Sequence, residues 1–209
     1  MDDFLIYSGY SILLLNLILY TYSFFRKEKA NVFFVSYLAF SFLMQFCMEV
    51  MYHLSMNNLF VVNIFFIGQM ILLGLFYDSL CQIKSQKMFI KISLLIAVLI
   101  LAVQFAFDSD QFLTFNLFEI TMTSLLIVIF ALLHFYNMLT ESKKFYYVSV
   151  GLIFYLLAST VLFLIGNLSL GLSNDLKYLT WELNAFFLLL YEFFILYEWI
   201  KSFSKKNYI

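Results

Sequence analysis

The side chains of greatest chemical interest are carboxyls, amides and one imidazole set inside long apolar runs. Gln45, Glu49 and His53 recur every four residues, so a helix carries them as one stripe. Asn116 and Glu119 fall about one to two turns from the start of their run. Asn63 lies at a similar depth, as do Glu182 and Asn184. These groups suit an outward-facing polar pocket for a cation or a small polar molecule. The competing reading is a set of wetted helix ends with interhelical hydrogen bonds. Glu192 differs, being near the middle of the run WELNAFFLLLYEFFILYEW, from Trp181 to Trp199. An ionisable group there faces a bundle interior. It serves either as a proton relay or, the preferred reading, as a carboxyl bonded to a neighbouring helix.

The elements that position these groups are helices in lipid. Of 209 residues, 64% are hydrophobic and 12% charged, against about 25% charged in soluble domains. A soluble fold of this size cannot cover so much apolar side chain with polar surface. Seven apolar spans follow one another, at 4–25, 32–53, 59–80, 88–107, 112–139, 145–166 and 178–200. Each has the ~20 residues that cross the hydrocarbon as a helix. Continuous rather than alternating apolarity excludes a β-barrel. The reading is an all-α polytopic membrane protein of seven transmembrane helices forming one domain, 1–209.

Charge sets the orientation. Arg26, Lys27, Lys29, Lys84, Lys87, Lys143, Lys144, Lys201, Lys205 and Lys206 all fall in alternate breaks or the tail. Lys91 snorkels to the same side, and Lys177 alone lies opposite, with Asp2, Asp3, Asp108, Asp110 and Asp175. Positive loops stay in the cytoplasm, which puts the N-terminus outside and the C-terminus inside a cell inner membrane. No cleavable signal is visible. Two pairs of segments also resemble each other. Asn31-Val-Phe-Phe-Val-Ser-Tyr37 matches Lys144-Phe-Tyr-Tyr-Val-Ser-Val150, and Leu75-Phe-Tyr-Asp78 matches Ile195-Leu-Tyr-Glu198. Spans 1–3 and 5–7 then read as two parallel copies joined by span 4, a 3+1+3 arrangement known in small transporters.

Several chemistries are disfavoured. A seven-helix metal hydrolase wants several His at one level, and His53 is near the outer face while His134 is near the inner one, about 30 Å apart in depth. A retinal protein needs a mid-helix lysine in the last span, where Lys177 is at the mouth. Ser159 and Ser169 lack protease settings, and no Walker loop or zinc pattern occurs. Cys47 and Cys81 read as small packing residues. No metal, cofactor or nucleic-acid partner is expected. Exposed ion pairs are expected at Asp78 and Glu198, near Lys84, Lys201 and Lys205. The partners expected are the lipid bilayer and a protein met at the cytoplasmic loops or within the membrane; the residues leave the oligomeric state open.

Three patterns resemble a diffuse family of small seven-helix bacterial inner-membrane proteins without assigned activity. They are Asn63-Ile-Phe-Phe-Ile67, His134-Phe-Tyr-Asn137 and Phe145-Tyr-Tyr-Val-Ser-Val-Gly151. The resemblance implies an architecture and brings no catalytic residues. Membrane proteins of this size also occur as accessories beside phage-defence nucleases. Three functions follow in order: a non-enzymatic sensory or regulatory module, a solute or ion transporter using Glu49, Glu119, Glu182 and Glu192, and a lipid-modifying enzyme.

Overall fold

The computed structural model describes residues 2–26, 30–140, 142–168 and 174–202. Seven α-helices occupy them: α1 (Asp2–Phe25), α2 (Val32–His53), α3 (Leu59–Leu80), α4 (Lys84–Phe107), α5 (Leu117–Asn137), α6 (Tyr146–Leu168) and α7 (Asn174–Ser202). A short 3₁₀ turn, Ser109–Leu113, links α4 to α5. Each helix is long and apolar enough to cross a membrane, and no strand occurs among the described residues. The chain is an all-α, multi-pass membrane protein. Of the charges that set the orientation, Lys27, Lys29, Lys205 and Lys206 lie outside the described residues, as does Ser169. So do the side chains of Asp2, Asp3, Asp175 and Lys177.

Most boundaries differ from the sequence reading by a few residues, and two of the differences have a clear local cause. α4 starts at Lys84 rather than 88, because Lys84-Ser-Gln-Lys87 contains no breaker and its lysines favour helix. The fifth span starts as the 3₁₀ turn and an extended Thr114, so its helix begins only at Leu117. Asn116 is therefore a cap and not a member of the helix. At the end of α2, Ser55 takes φ 56° and Met56 N donates to Met51 O at 2.9 Å, closing the helix in the manner usual for glycine.

The helices cluster into two compact units. Unit 2 is 31–137 and holds α2 to α5; unit 1 is 1–30 with 138–209 and holds α1, α6 and α7. In unit 2, α3 touches α2, α4 and α5. It runs antiparallel to α2, since Phe34 meets Phe76 and Asn31 bonds Ser79, and parallel to α5, since Tyr77 meets His134 and Asn137 meets Cys81. α4 returns antiparallel, with Leu94 over Gly74 and Lys91 on Asp78 at 3.6 Å. In unit 1, α7 touches α6 and α1. It runs parallel to α1 and antiparallel to α6, whose Gly151 lies under Phe194. A Cβ on Gly151 would stand 2.6 Å from Phe194 Cβ, so this crossing requires glycine.

The two units share a register. The paired motifs are offset by 113 residues between α2 and α6 and by 120 between α3 and α7. Partners in α3 and α5 are 56 or 57 positions apart. If α1 also corresponds to α5 at offset 113, partners in α1 and α7 should be 176 or 177 apart (113 − 57 + 120, or 113 − 56 + 120). They are 175 or 176 apart. Each unit thus joins the second and third helices of one segment to the first helix of the other.

Candidate functional site

In unit 2 the polar groups gather along α3. Asn63 is fully buried, and its Nδ2 donates to the carbonyls of Gln111 (3.3 Å), Phe112 (2.9 Å) and Thr114 (3.1 Å). Three carbonyls converge on one amide nitrogen that has two hydrogens. The turn they come from is held further by Gln104, whose Nε2 donates to Gln111 Oε1, and by Gln111 Nε2 donating to Asp108. Asn116 then caps α5, its Oδ1 accepting from Glu119 N at 3.2 Å. This fixes the first turn of α5 and with it Glu119.

Glu119 is fully buried, and neither carboxylate oxygen has a hydrogen-bond partner. The α3–α5 spacing of 56 sets it level with Asn63. Its own carbonyl is used by Thr123, whose hydroxyl donates to it at 2.8 Å. On α2, Ser41 and Gln45 lie one turn apart on the face toward α3. The pairing of Phe34 with Phe76 sets Ser41 level with Gln69. Ser41 Oγ, Gln45 Oε1, Asn63 Oδ1, Asn116 Nδ2 and both polar atoms of Gln69 are likewise buried without a partner. Buried polar atoms in folded proteins are nearly always paired, so a cluster of exceptions requires an explanation.

Unit 1 handles its polar groups differently. Glu192, 2% exposed, accepts a bond at Oε2 from Asn16 Nδ2 (2.8 Å), which also donates to the Glu192 carbonyl (2.9 Å). One turn on, the Tyr20 hydroxyl donates to Ile195 O, and Trp199 Nε1 donates to Ser23 Oγ at 3.0 Å. Glu198 accepts from Tyr147 N (2.8 Å) and from the Ser202 hydroxyl (2.7 Å). It is buried and caps the start of α6, instead of forming the exposed ion pair expected of it. Asp78 does form an ion pair, with Lys91 and not with Lys84.

Of the sequence candidates, Gln45, Asn63, Asn116 and Glu119 are therefore all buried within unit 2. Glu49 and His53 stand apart: they pair with each other at 3.0 Å, and the His53 side chain is 63% exposed. Glu182, Asn184 and Glu192 belong to unit 1, where Ser159 Oγ donates to Asn184 Oδ1 at 2.6 Å and Glu192 is held by Asn16. Sequence reasoning passed over Ser41, Gln69 and Asn16. Gln69 and Asn16 are lone amides in the middle of apolar runs, and that isolation is the signal that identifies them. His134 is buried against Tyr77 in unit 2, and among the described residues no three His, Cys, Asp or Glu gather as a metal site. The chain matches no family model, no curated protein and no solved structure.

Proposed function

We propose that this chain is a non-enzymatic, multi-pass inner-membrane module that receives a small polar ligand within unit 2 and regulates a protein partner. The observation that carries the reading is the buried carboxyl of Glu119, unpartnered in the capped first turn of α5 at the level of Asn63. A lone intramembrane carboxyl costs stability, and function is the usual reason it is kept. The basic ends of the helices support an interior location for the loops that meet the partner. The connections are short, so regulation acts through helix positions or these loops.

A transporter is the second reading, favoured by the shared register of the two units, since parallel repeats build several transporters. Against it, Glu192, the group expected to couple protons, is engaged by Asn16. Proteoliposomes that carry the purified chain separate the two readings. The regulatory reading expects no solute flux under proton, sodium or potassium gradients. A gradient-driven flux lost on Glu119→Gln would replace it with the transporter.

A further inference from the structure

The unpartnered atoms of Ser41, Gln45, Asn63, Gln69, Asn116 and Glu119 are not balanced between donors and acceptors. Glu119 leaves two carboxylate oxygens, and Gln45, Asn63 and Gln69 leave three amide oxygens. Against these stand the amide nitrogens of Asn116 and Gln69 and the Ser41 hydroxyl. All six residues are more than nine-tenths buried, from 0% exposed at Asn63 and Glu119 to 8% at Gln45. The Asn63 nitrogen is committed to three carbonyls, so its oxygen is the free end. Each of those carbonyls keeps a second lone pair. The surplus is oxygen, and it asks for a ligand that donates or is positively charged.

Charge narrows the class further. The cluster contains one carboxylate, and its other members are neutral. Divalent ions draw on several carboxylates, and the described residues offer no acidic cluster of three. One negative charge among neutral oxygens matches one positive charge, as carbonyl-lined sites match dehydrated monovalent ions. Along α3 the cluster runs from Asn63 to Gln69, about 9 Å at 1.5 Å per residue, which fits a small ligand only.

We propose that Glu119, Asn63 and the turn that leads into α5 form a binding site for a small monovalent cation. An alkali ion and a compact ammonium share this chemistry. Glu119 supplies the charge, Asn63 Oδ1 supplies an oxygen at the same level, and Gln45, Ser41 and Gln69 extend the polar lining along α3. This inference rests on the reading that unit 2 receives a ligand.

The test uses the full chain in nanodiscs, with thermal unfolding followed in chloride salts of sodium, potassium, ammonium and methylammonium. N-methylglucamine holds the ionic strength constant. At least one small cation should raise Tm saturably, by roughly 5 °C or more near a hundredfold excess over Kd. The rise should vanish in Glu119→Gln and persist in Glu192→Gln. The sodium and potassium arms against the two ammonium arms identify the source. No rise above N-methylglucamine, or a rise retained in Glu119→Gln, overturns the proposal. Should Glu119→Gln fail to fold, infrared difference spectra of the Glu192→Gln protein decide. Exchanging N-methylglucamine for the active cation should shift a carboxylate stretch, and an unchanged spectrum overturns the site. A saturable rise together with cation flux would keep the site and remove the regulatory reading. Regulation of a partner without any rise would do the reverse.

Discussion

In unit 1, α7 carries contacts to α1 and α6; in unit 2, α3 carries contacts to α2 and α5. The register is common to both, so residues can be compared position by position. Shifted into unit 2, Asn16 falls on Val128 or Ile129 and Glu192 falls on Leu72. Shifted into unit 1, Asn63 falls on Leu183, Gln69 on Leu189, Gln45 on Ala158 and Ser41 on Phe154. Glu119 falls on Ile6 or Tyr7. These mid-helix polar residues are therefore replaced in the other unit by side chains without charge and almost wholly apolar, whereas at the helix ends Glu198 falls on Asp78 and both units keep an acid. One helix arrangement supports two uses of polarity. In unit 1 Asn16 and Glu192 bond to each other and lock helices together, and in unit 2 both oxygens of Glu119 and both polar atoms of Gln69 are left available.

Stability measurements in detergent can break or sharpen this contrast. The largest effect is expected in unit 1 at Gly151→Leu. Its new side chain meets Phe194 next to the backbone and should cost about 3 kcal/mol, beyond what repacking recovers. Gly74→Ala in unit 2 meets only the flexible tip of Leu94, so its loss should be clearly smaller.

Next comes Asn16→Ala, which strands the Glu192 carboxylate and should cost about 1–2 kcal/mol. The double change Asn16→Val with Glu192→Leu installs the residues of unit 2 and should recover most of that loss, because no polar atom is then left unpaired. A double variant no better than Asn16→Ala would show that the pair does more than close its own bonds.

The helix-end acids give a third comparison. Glu198→Ala removes the acceptor for Tyr147 N and should cost about 1 kcal/mol. Lys91→Ala removes an ion pair whose lysine side chain is 62% exposed, and should change stability by less than about 0.5 kcal/mol. The smallest effect is expected at Glu119→Leu, which breaks no hydrogen bond and should leave stability within about 0.5 kcal/mol or raise it slightly. A loss above about 2 kcal/mol there would mean that Glu119 holds the fold together, and the contrast between the units would collapse.

Much of the architecture was legible from the chain. The seven spans were, because proline is absent and each polar break is short against ~20 apolar residues. The start of α5 was not, because Phe112 to Phe115 continues the apolar composition while its backbone turns and then extends. The site was half legible. Asn116 and Glu119 stood out by polarity and by depth. The bond that takes Glu192 out of that set joins residues 176 positions apart, and no local pattern reports such a pairing. Nor does hydropathy say that α1 packs with α7, since each of the seven spans is apolar enough along its length for lipid.

The grouping of α1 with α6 and α7 has a consequence for biogenesis. Unit 2 is one continuous stretch, 31–137, and every helix it needs has been synthesised before the ribosome reaches α6. α1 leaves the ribosome before unit 2, yet its partner α7 begins only at Asn174. At roughly 5–20 residues per second, Asn16 waits on the order of ten seconds or more in the bilayer before the Glu192 carboxyl exists. During that interval the first helix is an orphan with an open amide, and an insertase or holding factor is best placed to shelter it.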